Sequence, residues 1–150
     1  VPYGVMVPKE VDNLLLPVPV SGSHIGFSTL RMEPCWMAMG QAAGIASALS
    51  IDGKVKVQNI DLSRLQDKLI DQKATLMYFK DVDYTSPHFR MVQYLGLRGY
   101  LPEWTARLQE PVDATTLAAW KKLSGTDLPG IEAGKTTRLA TLEMIYRKIK

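Results

Sequence analysis

His24 lies in a stretch of small and polar residues, SGSHIGFST (Ser21–Thr29), and Arg31 follows it closely. An imidazole titrates near neutrality and can give or take a proton. A guanidinium offers a planar fork of donors to an acidic group. The pair could therefore serve acid–base work on an anionic substrate. Plainer roles compete: His24 as a loop residue bonded to backbone, Arg31 as partner of Glu33 or cap of a carbonyl. Cys35 would carry a lowered pKa in an exposed first helical turn. With no second cysteine in the chain there is no redox dithiol, and a small buried hydrophobe is the better reading of Cys35.

Elsewhere the chemistry is thin. His88 has no second ligand at metal spacing, so no metal site is expected. Asp81 and Asp83 read as a turn pair. Trp36, Trp104 and Trp120, with Tyr84, Tyr94 and Tyr100, could stack on carbohydrate, but their spacing among Leu and Val favours a core. A formal charge of +3 on 150 residues gives no case for nucleic acid. No apolar run is long enough to span a bilayer. The chain opens VPYGVMVPKE, without Met or signal-peptide pattern, and reads as the interior of a longer polypeptide.

The elements that must position these residues are mainly helical. Glu33–Ser50 is the clearest helix: Pro34 suits its first turn, and apolar residues recur at helical spacing. Gly40, Ala43, Gly44 and Ser47 shave one face, which lets a neighbouring sheet or backbone approach closely. Asp52-Gly53 is the expected stop. Before it, DNLLLPVPV (Asp12–Val20) is of strand length, but Pro17 and Pro19 each remove a ladder donor. An edge strand, a bulged strand or an extended segment all fit. SGSHIGFST reads as a loop. After it, KVKV (Lys54–Val57) is a short extended piece, and a helix capped by Asp61 carries Leu62, Leu65, Leu69 and Ile70.

A boundary is expected near residues 73–77, giving segments 1–74 and 75–150. The second segment predicts three helices. One has Ser86 as N-cap with Pro87 in its first turn, ending at Gly96 or Gly99. The next runs from Asp113 to Gly125, and the last starts at Thr136 or Thr137. Leu76–Phe79 and Val82 offer only a brief extended stretch. The fold class expected is mainly α, with a small extended or β element.

From Asn13-Leu14-Leu15 through Ser21, Ser23 and His24, Arg31 and Pro34 to Gly40-Gln41-Ala42-Ala43-Gly44, the first half resembles the C-terminal end of FAD-dependent oxidoreductases of the two-dinucleotide-binding type. Many members carry a glycine or an acid after the "NLL" strand, where this chain reads Leu16-Pro17-Val18-Pro19. The resemblance implies a truncated α/β flavoprotein domain whose Gly/Ala-rich helix points its leading end at the pyrimidine edge of the isoalloxazine. It implies catalytic roles for His24 and Arg31, and cofactor contacts from Ser21, Ser23, Met32, Glu33 and Cys35. The last three would act through backbone N–H groups, which Pro34 lacks. The glycine-rich turn that cradles the ADP part is absent. FAD is thus expected in the parent protein and not on this fragment, whose partner would be the remainder of that flavoprotein.

A second resemblance starts at YFKDVDYTSPHFRMVQYLGLRGYLP (Tyr78–Pro102), which is similar to an S-layer homology module. GKTTRLATLEMIYRKI (Gly134–Ile149) is similar to that module's Thr-Arg helix start. It implies a helical binding or scaffold module, a polysaccharide or cell-wall polymer as partner, and a periplasmic or secreted setting. Some relatives of the flavoprotein group are labelled xanthan lyase, but no lyase constellation of Tyr, His, Arg or Asn is visible in these residues.

Overall fold

The computed structural model describes residues 1–150, which form two compact units, Val1–Ala74 and Thr75–Lys150. Six α-helices and two short 3-10 turns make up the regular structure. No strand forms, and the sole bridge is an isolated one between Pro111 and Thr137. The chain is mainly α, as its periodicity predicts, and the expected β element forms no strand.

In the first unit, Asp12–Val20 pairs with no strand: Asp12-Asn13 form a turn, Leu14–Leu16 run without regular structure, and Pro17–Pro19 bend. Its register is set by the Leu16 N–H donating to the Met6 carbonyl at 2.8 Å, and by Ser21 N–H to Val5 at 3.0 Å. The prolines leave too few donors for a ladder. The SGSHIGFST stretch is not a loop. It holds α1 (His24–Leu30), because the Ser23 side chain caps it, accepting from Gly26 N–H at 3.1 Å. Leu30 at its end is buried.

The 21-residue α2 (Glu33–Gly53) follows after a two-residue turn. It runs through Gly53 and stops at Lys54, which takes the left-handed conformation with φ 50°. Its buried side carries Met39, Ala43, Ala46, Leu49 and Ser50. Met39 and Ala43 join Met6, Val20 and Leu30 in a small core, and α3 (Leu62–Asp71) lies against α2 with Leu65, Leu69 and Ile70 buried. Asp61 caps α3 as expected, accepting from Ser63 N–H at 2.8 Å.

The shaved face of α2 is split: Ala43 is buried in the small core, whereas a Cβ built on Gly40 or Gly44 meets nothing within 4 Å. No sheet lies against it in this chain.

A polar clasp ties the leading segment to the stretch after α2. Asn13, left-handed at φ 57°, accepts from Val57 N–H at 3.2 Å and donates its own N–H to Gln58 Oε1 at 3.3 Å. Gln58 Nε2 donates to the Val11 carbonyl at 3.1 Å, and Tyr3 OH to the Val57 carbonyl at 2.9 Å. Lys56 pairs with Asp12. Of the expected KVKV extension, Lys54 is the left-handed end of α2, Lys56 is extended, and a 3-10 turn, Val57–Asn59, begins at its last residue.

The second unit packs α4 (Phe89–Leu97), α5 (Ala114–Ser124) and α6 (Arg138–Ile149) round Val92, Leu95, Leu101, Val112, Trp120, Leu142 and Ile145. Asp113 and Thr137 cap α5 and α6, accepting from Thr116 N–H at 2.8 Å and Ala140 N–H at 3.2 Å. Ser86 and Pro87 precede α4 instead of starting it. The Ser86 hydroxyl accepts from His88 N–H at 3.2 Å, and His88 is the N-cap residue.

Two irregular stretches are held by side chains. Asp81 accepts from the Ala106 and Arg107 N–H groups at 2.8 and 2.7 Å. Trp120 Nε1 donates to the Tyr100 carbonyl at 2.7 Å. Trp120, Tyr94 and Tyr100 are core, as expected; Trp104 and Tyr84 are exposed, 69% and 60%, and Trp36 is half-buried.

Candidate functional site

The seven residues singled out by sequence fall just ahead of α1, on its first residue, in the turn after it, and in the first turn of α2. Ser21 and Ser23 precede α1, and both are already engaged. Ser21 N–H bonds the Val5 carbonyl, and the Ser23 hydroxyl is the cap. His24 is the first residue of α1 and Arg31 its C-cap, and both are exposed. Two helical turns separate them, so their backbones stand roughly 10 Å apart on one side of the helix. They do not touch. No ion pair joins Arg31 to Glu33, which leaves both charged groups facing solvent.

The leading end of α2 has an uneven set of donors. A helix start leaves its first N–H groups without intrahelical acceptors and carries the positive end of the dipole. Cys35 N–H is spent on the Met32 carbonyl at 2.9 Å, as is Trp36 N–H at 3.1 Å. Pro34 has none to offer. The N–H groups of Met32 and Glu33 have no backbone acceptor. Of the three donors expected, then, Met32 and Glu33 remain and Cys35 does not.

The Cys35 side chain is half-buried against the core of Met6, Val20 and Leu30, in keeping with a small hydrophobe. Beside it, Trp36 Nε1 is buried without a partner. Sequence pattern missed that orphan, because an indole among apolar residues looks like plain core. A hydrogen-bond acceptor for it must come from outside these residues.

Arg31 and the leading turn of α2 are what remains chemically open in this group. They supply two free backbone donors and a cation, and nothing here resembles a cradle for a pyrophosphate. The cavities lie elsewhere: a shallow one of about 440 Å³, lined by Asn13, Ser47, Ile51, Lys54 and Lys56, sits at the trailing end of α2. No group of three or more His, Cys, Asp or Glu converges on a metal-sized space. No helix is long and apolar enough to cross a membrane.

Residues 1–69 match the family model described as FAD dependent oxidoreductase. No curated protein matches, and no solved structure does. The match ends inside α3, so residues 75–150 lie outside it and the S-layer and xanthan lyase resemblances gain no support from it. Over the stretch that holds the leading segment, α1, α2 and most of α3, the chain is similar to the FAD-dependent oxidoreductases.

Proposed function

We infer that residues 1–74 are the closing part of a flavin-binding domain, with the leading end of α2 turned to the pyrimidine edge of the ring. The match over residues 1–69 carries this reading. The two open N–H groups at Met32 and Glu33 support it. In the parent protein FAD would supply the electron-accepting chemistry. The residues of this chain would hold the ring's edge: Met32 and Glu33 by backbone N–H, with the dipole end favouring negative charge there.

Arg31, exposed beside that end, would add a cation for the ring or for an acidic substrate. His24, on the same side of α1, would exchange a proton with substrate. Ser21 and Ser23 act by fixing the backbone ahead of α1, and Cys35 by packing.

The test is flavin retention. FAD added to the purified chain should show the spectrum and fluorescence of free flavin. A longer product of the same gene, reaching an upstream strand–GxGxxG–helix unit, should purify yellow. A gene with no such unit ahead of residue 1 would end the reading.

A second reading concerns residues 75–150 as a glycan-binding module. One observation favours it: Trp104 and Tyr78 are exposed, 69% and 64%, with ring centroids 6.4 Å apart and edge to face. Exposed rings of this kind stack on sugars. Retention on insoluble polysaccharide, lost with Trp104→Ala, is the result it requires.

A further inference from the structure

Two buried rings of the second unit already carry cations of the chain. The Arg98 guanidinium lies 3.4 Å and the Lys150 ammonium 4.6 Å from the Tyr94 ring centre, and the Arg138 guanidinium 5.0 Å from that of Trp120. Tyr78 and Trp104 differ. Both rings are exposed, and no lysine or arginine lies over either of them.

The pair is nonetheless held in place. Phe79, between Tyr78 and Lys80, is buried. Lys80 N–H donates to the Trp104 carbonyl at 2.8 Å, and Asp81 takes the Ala106 and Arg107 N–H groups. The two ring-bearing segments are thus tied to one another through backbone, and the rings stand at a fixed corner.

The shape of that corner selects a ligand. The ring planes are 87° apart. With centroids 6.4 Å apart, perpendicular ring normals can meet about 4.5 Å from each centroid (6.4 Å divided by √2), inside the ~6 Å reach of a cation–π contact. A sugar ring is flat and stacks on one face, so a second ring at a right angle adds little. A quaternary ammonium is round. It spreads its charge over its methyl groups and meets both negative ring faces at once.

The nearby acids are already engaged, Glu103 with Arg107 and Asp81 with backbone. Lys80 is exposed without an acid partner, and its charge opposes a second cation here. We propose that Tyr78 and Trp104 bind a quaternary ammonium group through their two ring faces.

NMR titration of the full 150-residue chain with choline chloride tests it, with 3,3-dimethylbutan-1-ol as the neutral isostere. The Trp104 indole N–H signal should move with choline, and those of Trp36 and Trp120 should not. Choline should bind roughly fivefold to thirtyfold tighter than the alcohol, the worth of two exposed cation–π faces. Read on the choline methyl signal, Trp104→Ala and Tyr78→Ala should each weaken binding, with backbone spectra otherwise unchanged. Lys80→Ala should tighten it. Co-sedimentation with phosphatidylcholine vesicles would assign the group to a lipid headgroup, and binding of choline alone to a free molecule.

Equal binding of choline and the alcohol overturns the proposal. So does choline binding indifferent to both ring variants, or weakened by Lys80→Ala. A Trp104 shift with hydroxyethyl cellulose and none with choline overturns it too, and leaves the rings to sugars.

Discussion

Gln93 and Met77 grip each other through both ends of one amide. Gln93 Nε2 donates to the Met77 carbonyl at 2.7 Å, and Gln93 Oε1 accepts the Met77 N–H at 2.8 Å. The same oxygen takes the Leu76 N–H at 2.8 Å. Gln93 is wholly buried on α4, so a side chain does for Leu76–Phe79 what a neighbouring strand would have done. That is why the brief extended stretch seen in sequence needs no sheet.

Gln93→Leu keeps the volume and orphans two N–H groups and a carbonyl. At roughly 1–3 kcal/mol for a buried group left unpaired, the second unit should lose about 2–4 kcal/mol, read as a fall in urea midpoint at constant slope. A loss below 0.5 kcal/mol, on the order of an ordinary surface change, would mean water replaces the amide.

Asp113 gives the second unit an acid limb. Its carboxylate accepts from the Thr116 hydroxyl at 2.6 Å and the Thr116 N–H at 2.8 Å. Those bonds, side chain first, hold its pKa below the usual 3.8. A depressed acid stabilises the fold fully above its unfolded value, and that contribution fades as pH falls through the folded one. Thermal unfolding from pH 6 to pH 2 should therefore show the cap weakening only below about 4. Asp113→Asn keeps a cap and should flatten that limb.

Gly96 and Gly40 should respond to alanine with opposite signs. A Cβ on Gly96 would stand 3.0 Å from the Phe79 ring, itself buried. Overpacking of that kind costs about 1–3 kcal/mol, which outweighs the 0.5–1 kcal/mol or so gained by removing a helical glycine. Gly40 has open space, so Gly40→Ala should gain that ~0.5–1 kcal/mol. Equal shifts at both sites would refute the packing assigned to Phe79.

The helices legible in sequence are those with strong local punctuation. Pro34 announces α2, Asp61 α3, Asp113 and Gly125 the two ends of α5, and Thr137 α6. α1 was hidden because a seven-residue helix containing Gly26, Ser28 and Thr29 has poor intrinsic propensity. The Ser23 cap and the burial of Leu30 make it. α2 overran Gly53 because Lys54 could take the left-handed turn instead. Of the site, the order of residues was readable, whereas the loss of the Cys35 donor to Met32 was not. Which carbonyl captures an N–H depends on the tightness of one turn, and residue type does not encode that.

The clasp at Asn13 joins positions more than forty residues apart, closing into a hoop the stretch of chain that includes α1 and α2. Three of its five bonds lie in the open, where water competes for them, and the two to Val57, from Tyr3 and Asn13, are part-buried. The hoop should thus unlatch as one event before any helix melts, freeing the N-terminal strap while α2 and α3 stay paired. Whatever loosens at Val57 would be felt first at Ser21, because the same strap sets the height from which α1 begins.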